Sequence, residues 1–490
     1  MASQLVKIRN IKRALGVDLS RTADNALKCI VAGRIRSLRV MKSRNFIDLI
    51  DGSTSEHLQV VVSKDLLKKP DIGAYITCEG YLLKSPAAQQ SIEFKVDKVL
   101  KVGPCDPDRY PLLVDERQVQ DGWFRKHLHL RSRMPHFGAL LRVRSEVDFS
   151  LQMIMKQMDF FKVQTPILTS NDSEASSDLF TVKRDRLTER LGESSEDSND
   201  ELSDDDPDTD SSVASENESF FGKDVFLATS AQLHLESLAA SLSRVYCIGP
   251  TFRAEHSLSS RHLCEFSMLE AEEANVDQID ELMDRVETIV KFVAQYLSEV
   301  SEYKADFSSL LNRYSHQNSF ERLAHSKYVR ITYSDAISIL KTRLATKDSI
   351  NFGKDINKTH ERILLDCFDH VPIFITDYPK ELKPFYMKAN ENCPKTVACF
   401  DLIAPLGGEI CGGSLREDDL VSLEANLKRH QTNTDDRSDK FNWYCQLREY
   451  GSFPHGGFGL GLERLVKSLV GIKNIKDVTP FPRWPGNCSM

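Results

Sequence analysis

Five short β-rich runs follow one another between Cys29 and Val102: CIVAGRIRSL, RNFIDLID, HLQVVVS, AYITCEGYLL and IEFKVDKVL. Polar and apolar residues alternate within them, and the turn-forming segments DGSTS and SPAAQQ interrupt the series. A strand of this length cannot bury its apolar face alone. Five of them in about 75 residues therefore predict a small closed barrel, most economically an oligonucleotide-binding fold. Such a barrel stacks single-stranded bases on aromatics in a positive groove. Phe46, between Arg44 and Asp48, is a candidate platform, with a core aromatic as the plainer alternative.

Charge supports an anionic partner for this part of the chain. The first 104 residues carry 18 Lys plus Arg against 10 Asp plus Glu, a local balance of +8. The whole 490-residue chain is formally −8, but residues 193–218 alone hold 12 acidic and no basic residues. Without them 64 basic residues face 60 acidic ones. That block cannot bury a core, so 187–219 is expected to be a disordered acidic insert on the surface of a folded domain.

No run of 18 apolar residues occurs, which argues against a membrane-spanning helix. The 11 cysteines are odd in number, scattered from Cys29 to Cys488, and never form a C-x-x-C pair. A disulfide framework and a structural zinc site are both disfavoured, and a reducing compartment is expected. The first residues, MASQLVKIRNIKRALGV, contain four basic and no acidic residues, with Leu5, Ile8, Ile11 and Leu15 on one helical face. Residues 1–20 thus resemble a mitochondrial transit peptide and point to the matrix. A basic helix that stays on a cytoplasmic protein and touches RNA is the alternative.

The chain then divides into a barrel over 21–104, a Pro- and Asp-rich hinge over 105–125 and a larger domain over 126–490. A long amphipathic helix is expected at about 137–158, from Leu140, Leu141, Val147, Leu151, Ile154 and Met158. Another is expected near 276–300. Antiparallel strands with helices on one side and no βαβ alternation suggest an α+β class.

Two segments carry chemistry. In TFRAEHSLSSRHLCEFSMLEAE, one strand ends at Arg253 and another starts near Glu265, with Glu255, His256, Arg261 and His262 in the loop between. A salt-bridge network is the structural alternative for such a cluster. In PHGGFGLGLERLVKSLVGI, Gly457, Gly459 and Gly461 lie on a strand that allows close backbone approach, and Arg464 follows at the start of a helix. A guanidinium aimed over a glycine surface suits a phosphate. The spacing does not fit a dinucleotide fingerprint.

Three blocks resemble the signature motifs of class II aminoacyl-tRNA synthetases. They are TPIL around Pro166, the Phe252, Arg253, Glu255 loop and strand, and the element from Gly457 to Arg464. The barrel in front is similar to that of the aspartate, asparagine and lysine subclass. FRAEHSLSSRHLCEF, GGEICGGSLRE, PHGGFGLGLER and NIKDVTPFPR most resemble its asparagine-charging branch. The resemblance implies activation of asparagine by ATP to an adenylate, then transfer to the 3′ end of tRNA(Asn). It also implies a homodimer with Pro166 at its interface.

Site residues follow by motif position. The resemblance implies that Arg253 holds the α-phosphate and carboxylate, Arg464 the γ-phosphate, and Phe266 the adenine ring, with Glu255 and His262 at further ATP contacts. Asp401 and Glu409 match the acidic positions that hold Mg2+, and Glu409 also borders ATP. Glu174 matches the residue that fixes the α-amino group, although Ala175 follows where glycine is usual. Phe46 and Gln59 match the aromatic and the amide that read the central anticodon base.

The amino-acid pocket is implied to contain Gln232, Leu235, Glu270 and Arg416. Aspartate-charging relatives place a lysine three residues after the glutamine, where this chain has Leu235. With one cation fewer, the pocket loses its charge match for a carboxylate. Arg416 can still donate to an amide oxygen, and Glu270 can accept from the amide NH2 and repel aspartate. The competing readings are an aspartate-charging or dual-specificity ligase and a non-charging RNA-binding paralogue.

Overall fold

The computed structural model describes residues 4–11, 27–86, 91–112, 121–171, 179–183, 220–344, 350–430 and 441–490. The acidic insert, Glu174 and Ala175 lie outside the described residues.

The five expected runs form the strands β1 (Leu27–Val40), β2 (Arg44–Ile50), β3 (Leu58–Ser63), β4 (Tyr75–Lys84) and β5 (Ile92–Gly103). They close into a barrel in the order β1-β2-β3-β5-β4. Alternation decides which side is core. Ile47, Leu49, Leu58, Val60 and Phe94 are fully buried inside, which puts Phe46 and Gln59 on the opposite face of β2 and β3, where Phe46 is half-buried and Gln59 buried.

The larger domain is built on an eight-stranded sheet. Its strands are β6 (Phe161–Lys162), β7 (Arg244–Phe252), β8 (Glu265–Ala274), β9 (Val329–Thr332), β10 (Ile373–Thr376), β11 (Cys399–Ala404), β12 (Gly408–Leu415) and β13 (His455–Gly461). The order is β9-β10-β11-β12-β13-β8-β7-β6. The inner pairings are antiparallel, but β9 with β10 and β6 with β7 are parallel. The expectation of no βαβ alternation is therefore corrected at both edges. A parallel pair needs a crossover: two helices lie between β9 and β10, and the helix Gln232–Leu242 lies between β6 and β7.

Six helices matter here: α1 (Pro135–Gln157), α2 (Gln232–Leu242), α3 (Ile279–Gln295), α4 (Tyr333–Arg343), α5 (Lys358–Cys367) and α6 (Leu462–Val470). Pro135 at the first helical position starts α1 where the missing N–H costs nothing. Its stripe of Leu140, Val143, Val147, Leu151 and Ile154 is buried against α3 and the sheet. Helix α4 is started by a reciprocal Thr332–Asp335 capping box. Helix α6 ends at Gly471, whose φ of 91° favours glycine.

The N-terminal residues depart from the expected single helix. Among the described residues 4–11, Ile8–Ile11 form a single helical turn, while Leu5 is exposed and bridges to Ile30. Ile8 and Ile11 are buried in the barrel core. The Ile8 N–H donates to Asp51 at 2.8 Å, and the Arg9 guanidinium donates to Glu302 of the larger domain at 2.6 Å. From the other side, Arg142 on α1 donates to the Gly52 carbonyl at 3.0 Å and to Asp306 at 2.5 Å. The segment therefore clasps the two domains together.

Candidate active site

Two adjoining cavities open over the middle of the sheet. The first is lined by Arg253, Glu255, His262, Phe266, Glu409 and Arg464, all six of the residues expected at ATP. The second is lined by Gln232, Leu235, Glu270 and Arg416 together with Lys383 and Asp401. Arg253, Met268, Glu409 and Gly459 line both, so the cavities meet at Arg253 and Glu409.

Register explains this convergence. Strand β8 pairs with β7, placing Glu265 opposite Phe252, and the Arg253 N–H closes the neck of the loop on the Cys264 carbonyl at 3.0 Å. The Arg253 guanidinium lies 5.6 Å from the centre of the Phe266 ring. Inside the loop, Ser257 and Ser259 both bond to His262 Nδ1, at 2.7 and 2.8 Å. Burial and the Arg464 guanidinium hold that imidazole below the ordinary histidine range, so it is uncharged at neutral pH.

Strand β13 lies between β8 and β12, with Gly459 opposite both Glu270 and Gly412. The glycines make a floor without side chains. At Gly457 a Cβ would collide with the Glu272 carboxylate. Arg464, two residues into α6, donates from Nη1 to the Glu409 carbonyl at 2.6 Å. Desolvation by the surrounding cavity wall acts to raise the Glu409 carboxyl, although about half of the side chain reaches solvent; Arg464, Lys383 and Arg253 outweigh it and hold the carboxyl below its ordinary value.

The second cavity ends at Arg416. Its Nε and Nη2 donate to the two oxygens of Glu272 at 3.0 and 2.9 Å, and Nη1 donates to Ser414 at 2.7 Å. These bonds use three of the five guanidinium N–H groups. Glu272 and Arg416 are almost wholly buried, so the arginine charge is balanced within the wall. Glu270 accepts the Ala231 N–H at the start of α2, at 3.0 Å, and the Ser230 hydroxyl. Burial raises its carboxyl above the ordinary range. Gln232 donates to Glu236 at 3.0 Å, which also binds Arg448, Tyr444 and His455. Leu235 is fully buried against Val245 and Cys247, with no cation at its position.

A family model described as tRNA synthetases class II (D, K and N) matches residues 123–196 and 207–485. The chain belongs to the class II tRNA synthetases. The matched stretches omit residues 197–206 of the acidic block, so the synthetase match continues on both sides of it. This synthetase is similar to the human asparaginyl-tRNA synthetase, with 37% identity over 469 residues, covering 94% of this chain and 90% of that protein. It is similar to the asparagine-tRNA ligase of Clostridium kluyveri, with 38% identity over 468 residues and coverage of 93% and 95%. The chloroplastic/mitochondrial asparagine-tRNA ligase of Arabidopsis thaliana is 36% identical over 491 residues, covering 98% of this chain and 83% of that protein. Among solved structures, the Pyrococcus horikoshii asparaginyl-tRNA synthetase complexed with asparaginyl-adenylate superposes with a TM-score of 0.79 at 27% identity, covering 95% and 96% of the two chains.

Asp401 and Glu409 of the synthetase come together across Gly412: a Cβ there would lie 3.4 Å from Asp401 Oδ1 and 3.5 Å from Glu409 Oε1. Two hard-oxygen groups in one cavity wall are donors of the kind that suits Mg2+. Among the described residues no cluster of three metal-ligating side chains is found. Asp401 also holds the Lys383 ammonium through both oxygens, at 2.8 and 2.7 Å. Burial acts to lower the Lys383 pKa, but Asp401 outweighs it and raises it, so the ammonium stays charged.

Sequence reasoning missed Lys383 and Glu272. Lys383 lies in PKELKPFYM, outside every motif block, and Glu272 only continues an acidic strand. Phe46, Gln59 and Pro166 line neither cavity. Phe46 pairs in register with Arg39, whose guanidinium lies 5.8 Å from the ring centre. Pro166 is exposed beside the edge strand β6, in a region where Phe149, Phe161, Ile167 and Leu168 are exposed too.

Proposed function

We propose that the chain is an asparagine-tRNA ligase, which joins asparagine to ATP as asparaginyl-adenylate and passes the amino acid to the 3′ end of tRNA(Asn). One observation carries the reading: the specificity end of the second cavity presents an arginine already neutralised by Glu272, beside Leu235. A carboxylate there gains no net charge match, whereas a carboxamide can accept from Arg416 and donate to Glu270.

In the first step the asparagine carboxylate attacks the α-phosphorus, and the bond to the pyrophosphate oxygen breaks. Positioning and charge balance, rather than a protein nucleophile, lower the barrier. Arg253, on the shared wall, would hold the carboxylate and the α-phosphate together. Arg464 would bind the γ-phosphate, and Phe266 would stack on adenine, with Glu255 and the neutral His262 as further ATP contacts. Asp401 and Glu409 would hold Mg2+, which offsets charge on the phosphate oxygens when bound. Glu174 would fix the α-amino group.

On the barrel, Phe46 and Gln59 would receive the central anticodon base. The exposed apolar residues around Pro166 support a homodimer through that edge. The basic N-terminal segment, together with an organellar relative, supports the mitochondrial matrix over the cytoplasm. No helix among the described residues is long and apolar enough to cross a membrane.

Lys383 favours a second reading, an aspartate-tRNA ligase, because it adds an ammonium to the cavity wall. Both oxygens of Asp401 hold that ammonium, which removes most of the advantage. ATP–pyrophosphate exchange with asparagine and with aspartate separates the two readings. Exchange driven only by asparagine supports the first, and equal or faster exchange with aspartate supports the second.

A further inference from the structure

We propose that Lys383 is a resident cation of the reaction centre that competes with a divalent metal for Asp401, leaving Glu409 as the acid open to metal in the free protein. The inference rests on reading these cavities as the adenylation site. Lys383 Nζ lies 2.8 Å from Oδ1 and 2.7 Å from Oδ2 of Asp401, and 4.0 Å from the centre of the Tyr378 ring. Both partners are mostly buried, and Tyr378 is almost wholly so. The ammonium is therefore held on two sides by a carboxylate and an aromatic face rather than dangling in solvent.

Magnesium requires oxygens at octahedral positions and sheds its own water reluctantly. A carboxylate whose two oxygens both accept from one ammonium offers such an ion little until the ammonium moves. Glu409 has a different environment. Its carboxylate faces Arg464 at 4.0 Å, with about half of the side chain exposed. The two acids share a wall but not an availability.

The arrangement also has a use in the first chemical step. Two anions, the amino-acid carboxylate and the α-phosphate, must approach each other beside the shared wall. Lys383 supplies a fixed positive charge in that wall before any metal arrives: Arg464 lines the first cavity, Lys383 the second, and Arg253 both.

Mn2+ titration of the full-length protein, followed by the loss of the free-ion electron paramagnetic resonance signal, tests this without reference to turnover. Lys383→Met is expected to bind Mn2+ roughly tenfold or more tighter than the unmodified protein, the scale on which groups touching a ligand move metal affinity. Binding as weak as in the unmodified protein, with an unchanged thermal melt, overturns the proposal. A second pair of variants decides the matter if Lys383→Met does not fold. Asp401→Asn should leave Mn2+ binding close to that of the unmodified protein, while Glu409→Gln should weaken it roughly tenfold or more. If Asp401→Asn weakens binding as much as Glu409→Gln does, Asp401 is a ligand in the free protein and the proposal falls. Asparagine-dependent pyrophosphate exchange by the unmodified protein reports separately on the underlying functional reading.

Discussion

The Arg416 guanidinium is held edge-on by the Glu272 carboxylate through two bonds of 3.0 and 2.9 Å, at the end of the cavity where a substrate side chain would lie. Removing the carboxylate's charge should make the pocket more welcoming to an anion. For Glu272→Gln, the asparagine-to-aspartate ratio in pyrophosphate exchange should fall by about tenfold or more. The buried arginine is then left uncompensated, so unfolding should also become about 3–5 kcal/mol easier. An unchanged ratio in a folded variant would count against a charge-balanced pocket.

Phe46 projects from β2 on the outer face of the barrel, beside Arg39. Base stacking on an aromatic is worth about 1–3 kcal/mol, so Phe46→Ala should raise KM for tRNA about 5- to 150-fold. Pyrophosphate exchange needs no tRNA and should not change. A loss in both assays would point to a folding defect instead of a lost base contact.

Lys467 on α6 is 1% exposed and donates to the Ser260 carbonyl at 3.2 Å. Burial, followed by the charges of Arg261, Lys358 and Arg464, lowers its pKa from 10.5 to about 7. Between those two values the unfolded chain carries the proton and the folded chain does not. Stability contributed by this group should therefore rise with pH by about 1.4 kcal/mol per unit above pH 7, and stay flat below it. Urea melts at a series of pH values, for the unmodified protein and for Lys467→Met, should show the rise only in the former.

Ile8 is fully buried in the barrel, and the turn that carries it is bonded to Asp51 and Ser53. Ile8→Ala should destabilise the protein by about 2–5 kcal/mol, as loss of a core isoleucine does. The same packing makes residues 4–11 part of the folded protein. If a fusion carrying residues 1–20 directs import, N-terminal sequencing of the imported full-length chain should still find Ile8. Its absence from an active imported protein would contradict this role.

Much of this architecture was legible in the chain because it rests on local patterns. The alternation in RNFIDLI and the DGSTS turn predict β2 and its exit, and the motif loops place Arg253 and Arg464 on neighbouring elements. What was not legible depends on contacts between distant segments. Lys383 meets Asp401 only because the chain after β10 folds back beside β11. Glu272 reaches Arg416 across 144 positions of sequence. The parallel edge pairing of β9 with β10 depends on the crossover through α4 and α5, and the burial of Ile8 on a barrel formed after it. Periodicity reports which face of an element is apolar, but not which distant charge will balance a buried one.

The selection of an uncharged carboxamide is tested most directly by ATP–pyrophosphate exchange of the unmodified protein with asparagine and aspartate in parallel. Exchange with asparagine should exceed that with aspartate on the order of a thousandfold or more in kcat/KM. Comparable rates with the two amino acids, or faster exchange with aspartate, would contradict the pocket described by Arg416, Glu272, Glu270 and Leu235.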